Sequence, residues 1–319
     1  MIEMARSVCG SDCEITIDTV DAHYWNYMVD PKELDQSDRG VENKGKIWKI
    51  KGIVFDRMGD KGMNYFIEGI QGSGKSTLVE KMSKRYPGCT VFREGDYSPV
   101  ELAWCAYVTK GRYAEILDQY HSIRDLIEEN SYAEGDHRVI CYTKVITDIP
   151  GFHKDLEQYE IYNGRLSFDE FRRIVFHRYE NWIGDDMVFE CSLFQNIVED
   201  MMLYRNASDS EILDFYRELA RILRNKEFRI FYLTTENIAS SIGAIRKERS
   251  DENGNEMWFP LMMAYFDASP YAKSRGVSGE EELYKHFSHR QDLELRICRE
   301  LFPDKVTVLE SKAYSDNEL

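Results

Sequence analysis

From Gly69 the chain reads Gly69-Ile70-Gln71-Gly72-Ser73-Gly74-Lys75-Ser76-Thr77, and Gly69 to Ser76 match the spacing GxxxxGK[ST] completely. The chemistry served by that spacing is phosphate binding. Glycines let the loop turn its backbone N–H groups inward around phosphates, and the helix that follows adds its positive N-terminal end. Lys75 then spans β- and γ-phosphate oxygens, and Ser76 can ligate Mg²⁺, so ATP and Mg²⁺ are the expected cofactors.

Transfer of a phosphoryl group to a neutral hydroxyl also needs a carboxylate to take the proton. Glu94 and Asp96 stand at and just past the end of a strand-like run, where open α/β sheets bind ligands. Each has a competing role. Glu94 can be a solvated loop acid or an arginine partner, and Asp96 can cap a helix opened by Ser98 and Pro99. If the acceptor already carries a phosphate, no base is required and Arg93 orients that group instead. Glu190, at the end of Met187-Val188-Phe189-Glu190, is placed to hold Mg²⁺ or its waters opposite Ser76, unless it is simply solvated. Trp104 and Tyr107 fall on one face of the helix expected after Pro99; there they either stack on a planar acceptor such as a nucleobase or pack in the core. Arg246 and Arg249 are three apart, hence on one helix face, where they can neutralise transferring phosphate or pair with Glu248 and Asp251. His286 and His289, like Cys9 and Cys13, lack the second ligand pair that a zinc site needs.

The elements that must position these residues follow an alternating pattern. Short apolar or β-branched runs at Asn64–Glu68, Thr90–Glu94, Met187–Cys191, Phe228–Thr234 and Lys305–Leu309 predict strands. Between them lie a helix from about Thr77, the helix after Pro99 with Val100, Trp104 and Tyr107 on one face, and a helix over Ser208–Arg224 behind a Ser/Asp cap. Such alternation predicts an α/β class, a P-loop NTPase fold with a mainly parallel five-stranded sheet flanked by helices. Tyr132–Phe171 is the least regular stretch and reads as an insertion over the sheet. Residues 1–62 read as an N-terminal extension, either an accessory piece or a segment upstream of the functional start, with a weak strand signal at Ile47–Phe55. The kinase-like domain is then 63–319, with a lid near 242–254.

The 319 residues are 43% hydrophobic and 31% charged, enough for one sizeable core and too patterned for disorder. With 57 acidic against 41 basic side chains the formal charge is −16, which repels polymeric nucleic acid. No apolar run approaches the roughly 18 to 20 residues that cross a bilayer, so a cytoplasmic location without membrane partners is expected. The seven cysteines then stay reduced rather than forming a disulfide framework. A small-molecule acceptor is the expected partner, and a homodimer is compatible with the sequence.

A GTPase would carry DxxG after the loop and NKxD at a later strand end. Asp56-Arg57-Met58-Gly59 precedes the loop, and Asn225-Lys226-Glu227-Phe228 lacks the aspartate. Phe66-Ile67-Glu68-Gly69 running into Gly74-Lys75-Ser76-Thr77 resembles the opening of thymidylate kinases and deoxynucleoside kinases. Phe92-Arg93-Glu94-Gly95 is similar to the Arg-Glu-Pro or Glu-Pro of those families, and Phe189-Glu190-Cys191-Ser192 to the Glu-Arg-Ser of deoxynucleoside kinases, with Cys191 in place of the arginine. The resemblance spans roughly 63 to 310 and implies ATP-dependent transfer to a nucleoside or nucleotide, Mg²⁺ held near Glu190, and an arginine-bearing lid at Arg246 and Arg249. An antibiotic or other metabolite phosphotransferase on the same scaffold, or a nucleotide-dependent binding switch, remain as alternatives.

Overall fold

In the computed structural model, which describes residues 62–250, 256 and 258–311, Asn64–Gly69 forms β1. All six of its residues are buried, as a central parallel strand covered on both faces requires. The chain continues through α1 (Lys75–Arg85), β2 (Thr90–Phe92), β3 (Ala106–Thr109), α2 (Lys110–Gln119), α3 (Arg124–Glu129), β4 (Ser131–Glu134), β5 (His137–Ile140), α4 (Phe152–Glu157) and α5 (Phe168–Asn181). Then come β6 (Met187–Glu190), α6 (Gln195–Glu199), α7 (Asp209–Ile222), β7 (Phe228–Thr234), α8 (Ile238–Glu248), α9 (Trp258–Ala268), α10 (Pro270–Arg275), α11 (Glu280–Leu301) and β8 (Val306–Glu310).

Five strands form a parallel sheet in the order β2-β6-β1-β7-β8. The chain leaves β1 toward β2 and β6 on one side and later reaches β7 and β8 on the other. Ligands bind beyond the carboxyl ends of strands where such a sheet changes direction. The register sets β1 directly against both neighbours, with Ile67 opposite Glu190 and Gly69 opposite Leu233. Aromatic rings lock this centre: Phe66 stacks on Phe189 at 4.9 Å, and Phe92 stacks on the same ring at 5.3 Å. The predicted α/β class with a mainly parallel five-stranded sheet is the observed one. Strand limits move by one or two residues at Thr90–Phe92, Met187–Glu190 and Val306–Glu310.

Helix boundaries follow local chemistry. Ser208 accepts from the Glu211 N–H while Glu211 reaches back to the Ser208 N–H, and Ser167 with Glu170 closes the same reciprocal box at α5.

Two expectations need correction. No helix follows Pro99. Residues 98–105 form turns, with Ser98 Oγ accepting from the Val100 N–H at 3.3 Å, and Tyr107 lies on β3. The Pro-initiated helix signal lost because Val108 and Ala106 are buried by pairing β3 with β5, a non-local contact. The stretch read as an irregular insertion is ordered. Its β4 and β5 join β3 in an antiparallel sheet ordered β3-β5-β4, with a separate small core around Ile116, Ile140 and Phe152. Residues 1–61 of the expected extension 1–62, including Ile47–Phe55 and Cys9 and Cys13, lie outside the described residues, as do Asp251 to Gly254 of the expected lid. Among the described residues, no helix is long and apolar enough to cross a membrane.

Candidate active site

The turn after β1 is forced by close approach. Gly69 has φ +140°, and a Cβ there would stand 2.4 Å from the Leu233 carbonyl oxygen. Gly74 takes a left-handed conformation at the N-cap of α1. Within this loop Lys75, 7% exposed, donates from Nζ to the carbonyl oxygens of Gly69 and Ile70, both at 2.8 Å. A cavity of about 720 Å³ opens above it, and Gln71, Gly72, Gly74, Lys75, Ser76 and Thr77 form its loop wall. Ile70 and Ser73 are turned into the protein.

Opposite the loop, β6 ends on Glu190, whose Oε1 accepts from Ser76 Oγ at 2.5 Å. Its Oε2 accepts from Arg93 Nη1 at 3.3 Å. Ser76 and Glu190 are hard oxygen donors brought together from separate elements, as two groups sharing one small divalent cation must be, so the residues present suit Mg²⁺·ATP. Cys191, next in sequence, is buried with φ 58° and also lines the cavity. Where an arginine was in question, the chain places a side chain with no positive charge, and burial raises its thiol well above the usual range.

Glu94 lines the cavity as an exposed residue, and its Oε1 accepts from Gln195 Nε2 at 2.9 Å. Desolvation raises its carboxyl above the ordinary range; Lys75 pulls it down and Glu190 pushes it up. Trp104 also lines the cavity, 48% exposed and with φ 60°. With Asn163 (φ 61°), three non-glycine residues in the left-handed region therefore border one cavity, as strained backbone at functional sites tends to do.

Not every expected residue arrives. Asp96 Oδ2 accepts from the Arg93 N–H at 2.6 Å and its carboxylate pairs with Lys144, so it shapes the turn that presents Glu94 and does not line the cavity. Tyr107 stacks on His137 at 4.5 Å, away from the walls. Arg93 is spent on Glu190. The two lid arginines separate: Arg249 lines the cavity and lies over the Trp258 ring at 5.5 Å. Arg246 instead pairs with Glu256 at 2.7 Å and Glu280 at 2.9 Å and lies over Phe259.

Several site residues carried no legible signal. Gln195 is held because Glu68, buried at the end of β1, accepts from the N–H groups of Leu193 at 2.6 Å and Phe194 at 3.2 Å, pinning the start of α6. Glu199 at the end of α6 lines the cavity and binds Arg290 at 2.7 Å and His286 at 2.9 Å. Burial pushes its carboxyl up, but His286 and Arg290 outweigh that and bring it down to about 2. Arg290, fully buried on α11, also donates to Gln71 Oε1 at 2.7 Å, tying the phosphate loop to that helix. Glu160, Tyr162 and Asn163, from the region read as an insertion, and Trp258 and Tyr265 of α9 complete the walls. A carboxamide five residues past a strand end was the one available hint, at Gln195.

No family model matches the chain, and no curated protein matches it. Among solved structures it is similar to the YGR205w protein, at 14% identity and a TM-score of 0.27, over 81% of this chain and 89% of that one. It is likewise similar to EHV4-TK complexed with TP4A, at 11% identity and a TM-score of 0.27, over 80% of this chain and 87% of that one.

Proposed function

We propose that the chain is a Mg²⁺·ATP-dependent phosphotransferase that moves the γ-phosphoryl group to a hydroxyl of a small acceptor of nucleoside size. The observation that carries this reading is one cavity bordered by the loop lysine Lys75, the Ser76–Glu190 pair at 2.5 Å and a desolvated carboxylate at Glu94. Lys75 and the loop N–H groups bind the β- and γ-phosphates, while Ser76 and Glu190 hold the metal, which when bound neutralises phosphate charge. Glu94, its basicity raised by desolvation, accepts the proton of the attacking hydroxyl, and Gln195 fixes its carboxylate in place. Arg249 closes over the donor side with Trp258, excluding water. A nucleotide acceptor fits less well, because Arg93, the residue suited to orient a second phosphate, is bound to Glu190.

Calorimetric titration of Mg²⁺·ATP, followed by ATP consumption with hydroxyl acceptors, tests the proposal. Lys75→Ala is expected to keep the fold by circular dichroism, to weaken ATP binding and to abolish transfer. Unchanged ATP affinity and turnover in that variant would overturn it.

A further inference from the structure

The walls away from the phosphate loop carry two hydrogen-bond acceptors that the protein leaves unmatched and a carboxylate that it leaves without a cation. Gln195 and Glu199 are each 6% exposed, both line the cavity, and one oxygen of each, Oε1, is buried without a hydrogen-bond partner. Buried acceptors without donors are uncommon in folded proteins and point to a group that arrives from outside. Glu160, 3% exposed on the same cavity, accepts only from neutral donors, Tyr142 Oη at 2.5 Å and Asn163 Nδ2 at 3.0 Å. The nearby Arg165 is taken by Glu157 at 2.5 Å. No cation is in contact with the Glu160 carboxylate.

Resting on the phosphotransferase reading, we propose that the acceptor is an amine-bearing alcohol of amino-sugar type, bound through its ammonium and hydroxyl donors by Glu160, Glu199 and Gln195. Hydroxyl and ammonium groups supply donors to the unpartnered Oε1 atoms of Gln195 and Glu199, and a positive charge suits the Glu160 carboxylate, whose partners are neutral. Trp104, 48% exposed on the same cavity, is an aromatic group of the kind that attracts an ammonium. A phosphorylated acceptor would instead set its own acceptor oxygens against carboxylates, leaving both sides unpaired and repelling.

The test is calorimetric titration of the full chain, with and without saturating Mg²⁺ and the non-hydrolysable analogue AMP-PNP. The probes are glucosamine, kanamycin A, the N-acetylated form of each, thymidine and thymidine 5′-monophosphate. An amine is expected to bind more tightly than thymidine or its monophosphate, and N-acetylation, which removes the charge and keeps the hydroxyls, to weaken it at least 10-fold. Glu160→Gln is expected to produce a similar loss for the amine, little change for its N-acetylated form and an unchanged Kd for AMP-PNP. Equal or tighter binding of thymidine or its monophosphate, or indifference to N-acetylation, would overturn the acceptor assignment and leave the phosphotransferase reading standing. Failure of AMP-PNP to bind would sink that reading, while the titrations without nucleotide still decide the preference for amines.

Discussion

Glu94 and Asp96 show how two carboxylates two residues apart acquire different work. The Asp96 carboxylate accepts the Arg93 N–H and pairs with Lys144, whereas Glu94 faces the cavity and is held by Gln195 and its neighbours Asn196 and Trp104. A positioned general base typically contributes about 10² to 10⁴ in rate. Glu94→Gln, which keeps the size and a hydrogen bond to Gln195, should therefore cut turnover by about that factor and leave Mg²⁺·ATP affinity unchanged. Asp96→Asn should change turnover by only about a few-fold, since it acts by shaping the turn. Steady-state kinetics on both variants checks this; near-normal turnover in Glu94→Gln would remove it as the base.

At the scale of elements, α11 acts as the support of the phosphate loop. Arg290 on this helix is fully buried, donates to Glu199 and Gln71, and stands 3.2 Å from Glu294 Oε1 as an ion pair outside hydrogen-bond geometry. Glu294 is itself held by Tyr232 Oη of β7 at 2.7 Å. Removing one partner of a buried pair leaves an uncompensated charge and costs about 3 to 5 kcal/mol. Arg290→Met should destabilise the protein by that amount in urea unfolding, and should weaken ATP binding by releasing Gln71. A loss below about 1 kcal/mol would mean that the buried charges are matched by other groups.

For the whole molecule, buried acids make stability depend on pH. Burial raises Glu101 from 4.5 to about 7 against hydrogen bonds from Tyr162 and the Ala103 N–H. Glu160 likewise rises to about 7, chiefly through burial and against its bond from Tyr142. Between pH 4.5 and 7 the folded chain keeps protons that the unfolded chain has released, so stability declines as pH rises through that window, and Glu68, raised by burial to about 8, carries the decline on toward pH 8. Each group is worth on the order of 3 kcal/mol. Urea midpoints should therefore be higher at about pH 5 than at about pH 8, and the variant carrying Glu101→Gln and Glu160→Gln should show a flatter profile. A midpoint that rises over this range would contradict it. Glu199, held at about 2, acts in the opposite sense, and its contribution is lost only as pH falls from 4.5 toward 2.

The sequence by itself determined the phosphate loop, since GxxxxGK[ST] encodes a backbone path in which Gly69 and Gly74 are required locally. It also determined the parallel strands, whose continuous apolar runs follow from burial on both faces. It misplaced residues 98–107, because pairing of β3 with β5 is decided by a partner some thirty residues away and overrides a local Ser-Pro helix signal. Only the tertiary structure decided which polar residues share the cavity. Arg246 and Arg249 look equivalent along the helix, but Glu256 and Glu280 claim the first and leave the second at the cavity. Glu160, Gln195, Glu199 and Arg290 are ordinary polar residues in sequence. They become a site because folding brings elements far apart in the chain around one cavity, where the low dielectric makes each unmatched oxygen and each buried charge count.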